Sequence, residues 1–483
     1  MTVTSFFLKT CCKKLLNLAA FSIFAVAIFS TENAAAQADV TYQQKTIKDT
    51  LPPKPARTRN NPHHFTRSAI ELGMAEILPF MWDRYLKKAD YAQITWKSVG
   101  HNYNPTSWTW DDDPFTTNQF GHPFHGSIFY NTFRSNGYTF WQSVPAAAVG
   151  SYLWESTAEN QPPAINDFIN TTFGGVVLGE MTHRMADKIT NTTQTGFGRQ
   201  ASEVFALIIN PSNGLTRILD GKWGKPVKNS KRDSSDISTE IDVGGRTFNR
   251  NNSNILHNSN YGWYGHIKLL YGTPYKDYNT PFSNITVNVE VGKDDSSLVN
   301  MVSVYGSLAG WEIKSNEKLQ HLLVLSANYD FLHNSAFFYG GESVKANFLS
   351  EYDITKKTKI TTNFGAGPIL LSAIPDPYFI QPHGRDYDYG PGVAFSGGGQ
   401  LTLLDILTYG INYRGGYTVT VNGQPSHHFL HTVASEVTLN VVKKLAFSIE
   451  SGYFALHGRY QKFADIDQNY PYLRVSTRYS LNF

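Results

Sequence analysis

Cysteine is almost missing from this chain. Only Cys11 and Cys12 occur in 483 residues, both ahead of an apolar stretch at 15–30. If that stretch leaves with a leader, no thiol stays behind, which excludes disulfide staples and thiolate metal sites. Charge of one sign is missing too. Lys and Arg number 42 against 39 Asp and Glu, a balance that gives no reason to expect a nucleic-acid partner. After residue 30 there is no long apolar run, and mean hydropathy is only −0.31. That excludes a bundle of membrane-spanning helices. What the chain has instead is aromatic residues, at 14%, and glycine, at 38 residues. Its length leaves room for two domains.

The N-terminus reads as a secretory leader over residues 1–37. Lys9, Lys13 and Lys14 precede the apolar stretch, and Ala34, Ala35 and Ala36 follow it. Basic, apolar and small-residue regions in that order are a signal peptide, cut near Ala36 or Gln37. A lipid-bearing cysteine would follow the apolar stretch, so lipidation is not expected. Loss of three lysines and Glu32 leaves 39 basic against 38 acidic residues. Residues 38–62, with L-P-P-K-P-A-R-T-R-N-N-P, read as an extended linker.

From about residue 234 the apolar period is two. Ile285, Val287, Val289 and Val291 alternate with Thr286, Asn288 and Glu290, and Val437, Leu439 and Val441 with Glu436, Thr438 and Asn440. Some twelve such segments run to the end of the chain. The last, 471–483, sets Leu473, Val475, Thr477, Tyr479, Leu481 and Phe483 on one face. Tyr472, Arg474, Ser476 and Arg478 lie on the other. Arginines on one face and aliphatics on the other suit a wall between lipid and a wet lumen. The strand resembles the closing strand of Gram-negative outer-membrane barrels, which implies an outer-membrane location. The same resemblance implies recognition by the barrel-assembly machinery through Phe483. The fold expected is a membrane all-β barrel of about twelve antiparallel strands over 234–483. A mainly helical domain over 63–225 is expected inside the barrel or directly under it. Membrane lipid is the expected neighbour. Lumen charges such as Glu290, Glu436, Arg474 and Arg478 are expected to pair internally.

The helical region carries its own punctuation. Residues 65–90 follow a helical pattern broken by Pro79, and 91–98 suggest a short strand. His122-Pro123 opens a helix to about Asn136. Thr139–Ala158 suits a second, kinked at Pro145, and a third runs from Asn166 to about Ile189. Gly175-Val-Val-Leu-Gly179 within it predicts close helix packing. A fourth covers Arg199–Ile209 and ends at Asn210-Pro211.

Reactive groups are densest at 108–188. The run W-x-W-D-D-D-x-F-x-x-N-Q (Trp108–Gln119) is followed by H-P-x-x-G-S-x-x-Y, R-S-N-G-Y, W-E and G-G-x-x-L-G-E (Gly174–Glu180). These motifs, in this order, resemble the domain-of-unknown-function family 3943 of Gram-negative envelope proteins. The resemblance covers about 80–225. It implies helices tied to a barrel in the envelope and carries no activity with it.

The residues are therefore read on their own chemistry. Ser127, Tyr130 and Arg134 share one helical stripe, with His125 nearly opposite. A serine nucleophile would thus need His122 or His183 as its base. Glu155 and Glu159 are one turn apart. Glu180 and His183 have the Glu-x-x-His spacing of carboxylate-bridged metal bundles, but only one such motif is present. Glu180 and Arg184 have ion-pair spacing, the simpler account, so no metal and no cofactor is expected. Asp111, Asp112, Asp113 and Asn118 fit no calcium loop and read as a polar turn. Arg134 is expected to meet a buried carboxylate, Glu155, Glu180 or Asp167. Two function classes follow. One is a plugged barrel with a binding, passage or structural role, for which Tyr130, Arg134 and Asp167 are the ligand candidates. The other is an enzyme acting on lipid or another envelope substrate through Ser127, His122, His183, Glu155 or Glu180.

Overall fold

The computed structural model describes residues 63–227, 236–249, 260–293, 297–316, 318–334, 336 and 338–482. The leader, the linker and Phe483 lie outside these. The strands are β1 (Ile237–Phe248), β2 (Asn260–Tyr271), β3 (Ile285–Gly292), β4 (Val299–Asn316), β5 (Leu319–His333) and β6 (Phe338–Thr355). They continue as β7 (Thr358–Pro375), β8 (Tyr387–Leu403), β9 (Leu407–Val419), β10 (Ser426–Val442), β11 (Leu445–Tyr460) and β12 (Ile466–Asn482). Each pairs with the next, and β12 closes on β1. At one end short turns join β6–β7, β8–β9 and β10–β11 and a longer segment, 272–284, joins β2–β3; loops such as 376–386 join strands at the other. A closed antiparallel barrel leaves no unpaired edge for lipid to strand.

The two faces separate by charge. Arg414 of β9 reaches Ser303 of β4 at 3.3 Å. Those strands lie on opposite sides of the barrel, so the face they share is the lumen. On that face Arg246 and Arg474 meet Glu290 at 2.5 and 2.9 Å. Arg478 meets Asp242 at 2.8 Å and Glu436 at 2.5 Å. The expected internal pairing is present. Toward the loop end Phe248, Ile374, Leu430, Phe454, Leu456 and Tyr472 pack together across the lumen. This apolar layer crosses the lumen at one level, while the Arg414 side chain elsewhere in it stays 55% exposed. On the outer face Phe395, Ile411, Leu439, Phe447, Ile449 and Val475 are exposed. An apolar exterior around a charged lumen marks an outer-membrane barrel.

The helices are α1 (Phe65–Met81), α2 (Trp96–Asn102), α3 (His122–Arg134), α4 (Phe140–Leu153), α5 (Ile165–Ile169), α6 (Gly175–Thr190), α7 (Gly196–Ile209) and α8 (Pro211–Leu219). Among the described residues, none is long and apolar enough to cross a membrane. Four single π-turns interrupt the helical path, at Trp82–Lys87, Thr117–Gly121, Trp154–Ala158 and Asn170–Gly174. They explain several differences from the sequence reading. Pro79 does not end α1, because the chain winds on through the first π-turn until Lys88 adopts a left-handed φ of 52°. His122 is not a cap. The π-turn before it already carries the helix, and the His122 N–H donates to the Thr117 carbonyl. The expected strand at 91–98 is instead a turn and an irregular stretch that enter a helix at Trp96. Thr95 and Ser98 form a reciprocal capping box that opens α2. Asn210 does not merely end α7. Its side chain accepts from the Asn213 N–H and starts α8, with Pro211 in the first turn.

The glycine spacing does what it predicts. A Cβ on Gly175 would lie 2.6 Å from the Gly126 Cα, and one on Gly179 would lie 2.6 Å from the Tyr130 ring. Helices α3 and α6 therefore touch backbone to backbone.

The seam between helices and barrel differs from expectation. The helices do not enter the lumen or sit beneath it; they lean on the outer wall. Tyr329 is the register partner of Val304, on the face opposite Ser303, and its hydroxyl donates to the Gln119 carbonyl at 2.5 Å. Phe115 stacks on outward-facing Phe331 at 5.4 Å between centroids. Phe140 stacks on Phe282, beyond the opposite end of the wall, at 5.4 Å. The lumen is lined by paired charges, so the helices pack where the wall is apolar. The domain also has inverted polarity. Glu71, Glu155, Asp167, Glu180, Arg199 and Glu203 are buried, while Phe65, Ile77, Leu86, Trp96, Trp141 and Phe197 are exposed.

Glu76 on α1 gives this inversion a measurable consequence. Neither of its oxygens accepts a hydrogen bond, and burial pushes its carboxyl from 4.5 up to about 8. A raised folded value means that its stabilising contribution is full below 4.5 and is lost as pH rises through about 8. The helical domain should weaken from pH 5 to 9. The Glu76 part of the slope is at most about 1.4 kcal/mol per pH unit. Glu76→Gln should flatten that slope in tryptophan-fluorescence melts. Parallel wild-type and variant slopes would contradict it.

Candidate functional site

The densest polar cluster lies where the domain meets the wall near the loop end. Three of the π-turns build it. A π-turn inserts one residue into the helical ladder and so re-aims the side chains beside it, a device frequent at functional sites. The turn at 117–121 places Asn118 and leads into His122. The turn at 154–158 places Glu155, and that at 170–174 follows Asp167 and carries Asn170 and Thr171.

One ligand atom each from His122, Glu155 and Asp167 lie within 4.8 Å of one another. His122 Nε2 is 3.6 Å from Asp167 Oδ1, and Nδ1 is 3.2 Å from Thr171 Oγ1. Glu155 Oε2 accepts from the Ala164 N–H at 2.8 Å. Asp167 Oδ1 accepts from Asn166 Nδ2 at 2.7 Å, and the Asn166 Oδ1 accepts from the Asp111 N–H. The barrel closes the cluster from one side. Tyr389 of β8 lies 3.2 Å from Asn166 Nδ2, and the Tyr387 hydroxyl accepts from Asn118 Nδ2 at 2.9 Å. Arg385, in the loop before β8, donates to the Asp111 carbonyl at 3.0 Å.

Charge in this cluster is one-sided. Burial, then neighbouring carboxylates, raise Glu155, Asp167 and Glu159 well above the ordinary range. Burial pushes the His122 imidazole down, toward its neutral form. A neutral imidazole and close carboxylates are the donor set of a cation site or of a general acid–base pair.

A second cluster centres on Glu180. Arg134 grips it bidentately, Nε to Oε2 at 2.7 Å and Nη2 to Oε1 at 3.1 Å. Arg184 Nε donates to Oε1 at 2.8 Å and the Tyr130 hydroxyl to Oε2 at 2.7 Å. Burial alone would raise the Glu180 pKa; the two guanidiniums outweigh it and hold it below the carboxylate range.

The sequence candidates thus divide. His122, Glu155 and Asp167 come together. Glu180 goes to Arg134, one of the three partners expected, and Tyr130 joins them. His183 does not share a centre with Glu180. Its Nε2 faces Asp187 at 3.6 Å. Ser127 Oγ donates to the Phe124 carbonyl of its own helix at 2.6 Å, and no histidine bonds it among the described residues. Sequence reading missed Asn166, Asn170, Tyr387 and Tyr389. The two tyrosines had no signal, since the alternating pattern of that strand begins only after them. Asn170 had one, three-residue spacing from Asp167, but spacing alone could not connect it to His122.

Residues 107–212 match the model of a family described as "Domain of unknown function (DUF3943)". Both clusters draw their helical members from that span. No curated protein matches the chain. Solved structures with similar folds include three outer-membrane proteins. An outer membrane channel from Pseudomonas putida F1 is 10% identical, with 53% of this chain and 100% of that chain covered and a TM-score of 0.30. The NanC porin is 12% identical, covering 49% and 98%, with a TM-score of 0.28. An anion-selective porin from Comamonas acidovorans is 8% identical, covering 52% and 100%, with a TM-score of 0.24.

Proposed function

We propose that this outer-membrane barrel is a closed anchor for a lipid-embedded helical domain, and that it works on or with membrane lipid at its outer wall. Passage through its lumen is not its task. One observation carries the reading: the domain leans on the apolar exterior of the barrel and turns apolar side chains outward on its own free surface. Its seam with the wall runs from Phe282 at the turn end to Phe331 and Tyr389 at the loop end. It therefore occupies the depth at which neighbouring strands expose Ile411 and Phe447. At that depth water would meet Trp96, Trp141 and Phe197 at great cost, whereas lipid would not. Polar groups turned inward and paired are what a lipid surround demands. The assembly machinery reading the C-terminal strand belongs to the same proposal.

Tryptophan quenching tests it. In reconstituted vesicles, single-tryptophan variants keeping Trp141 or Trp96 should be quenched by brominated lipid about as strongly as Trp263, an exposed residue of the barrel exterior. Buried Trp154 should not. Planar bilayers should show no steady conductance. Quenching of Trp96 and Trp141 by aqueous iodide alone, or a stable open pore, would refute the reading.

A further inference from the structure

We propose that His122, Glu155 and Asp167 form a binding site for one divalent transition cation, zinc or manganese by donor chemistry. This does not depend on the lipid-embedding proposal. One imidazole and two carboxylates are a borderline N/O set, suited to these ions. Their ligand atoms, within 4.8 Å of one another, would fit around a single ion.

Each ligand is already oriented by a second group, as metal ligands characteristically are. Thr171 Oγ1 takes His122 Nδ1 and leaves Nε2 facing Asp167. The Ala164 N–H fixes Glu155, and Asn166 Nδ2 fixes Asp167.

Two further observations point to an ion. The first is missing positive charge. Among the described residues no lysine or arginine pairs with Glu155, Asp167, Asp111 or Asp113. Arg385, the nearest guanidinium in the network, donates to the carbonyls of Asp111, Tyr387 and Asn422. The second is unused acceptors. Asn118 and Asn170 are fully buried, and Oδ1 of each accepts no hydrogen bond. Both amides are anchored through Nδ2, Asn118 to Asp111 and Tyr387, Asn170 to the Asn118 carbonyl. Asn170 stands one turn after Asp167, and its neighbour Thr171 holds His122. These amide oxygens are suited to complete the shell directly or through water. His122, with its side chain 14% exposed, is the way in.

Full-length protein in detergent, stripped with chelator, would be dialysed against Zn²⁺ alone and Mn²⁺ alone, and bound metal counted. One saturable equivalent is expected. His122→Gln and Asp167→Asn, checked as folded by heat-modifiable migration, should bind roughly tenfold or more weakly. His183→Gln should bind as wild type. Pulsed electron paramagnetic resonance of the wild-type Mn²⁺ complex should show coupling to one imidazole nitrogen, a readout that needs no variant to fold. No saturable binding by wild type overturns the site. So do undiminished binding by folded Asp167→Asn and a Mn²⁺ signal without imidazole nitrogen.

Discussion

Arg134→Ala is expected to unfold the helical domain while leaving the barrel assembled. Glu180 is fully buried and takes two of its four hydrogen bonds from Arg134. Removing one partner of a buried pair leaves a charge without compensation, at about 3–5 kcal/mol. Arg184 and Tyr130 still hold Glu180, so the loss should fall near the lower end of that range. That remains a large fraction of a typical domain's stability. Arg134→Lys should rescue little, because an ammonium cannot reproduce the two-pronged grip. Arg134→Met with Glu180→Gln should be milder than Arg134→Ala, since no charge is stranded. Limited proteolysis reads the domain and heat-modifiable migration reads the barrel. Full protease protection in Arg134→Ala would remove Arg134 from the structural role and return it to the ligand candidates.

The barrel was legible in the sequence because its signal is periodic and local. A strand in such a wall must place one face in lipid and the other in a wet lumen, so alternation in 437–441 or 471–482 fixes strand, face and lumen charge together. Glu436 and Arg478 could be assigned inward before their pairing was seen. The placement of the helices was not legible. Alternation puts Tyr329 and Phe331 on one face with Leu323 and Leu325, but lipid and a helix are both apolar neighbours, and the pattern cannot tell them apart. Inverted polarity is hard to read for a related reason. A helix with polar residues on one face and apolar on the other looks the same whether water or lipid surrounds it.

The candidate site was half legible. His122, Glu155 and Asp167 stood out as reactive types, yet each belongs to a different helical segment. Their meeting depends on π-turns, which shift the face of every later residue and break the three- and four-residue spacing on which sequence reading relies. The Glu180–Arg134 pair was easier. An arginine on a helix rich in Phe calls for a carboxylate from another helix, and few were on offer.

The largest backbone effect is expected at the crossing of α3 and α6. A Cβ on Gly126 would sit 1.8 Å from the Thr171 carbonyl oxygen, and one on Gly175 would sit 2.5 Å from the Gly126 carbonyl carbon. Both obstacles are backbone, so no rotamer change relieves them and the helices must part. Overpacking of side chains costs about 1–3 kcal/mol, and Gly126→Ala and Gly175→Ala should reach or exceed the top of that range. Gly73→Ala is the control. It lies within α1 with nothing inside 4 Å of the added carbon, and should stabilise by up to about 1 kcal/mol through helix propensity. The crossing also holds the site together. Gly126 follows His122 by one turn of α3, and the carbonyl it faces belongs to Thr171, the residue that orients the His122 ring. Gly126→Ala should therefore lower both the melting temperature of the helical domain and the cation affinity of the His122 cluster. Gly73→Ala should change neither for the worse. If Gly126→Ala melted like wild type, the close crossing of α3 and α6 would be wrong, and the alignment of His122 with Asp167 would lose its support.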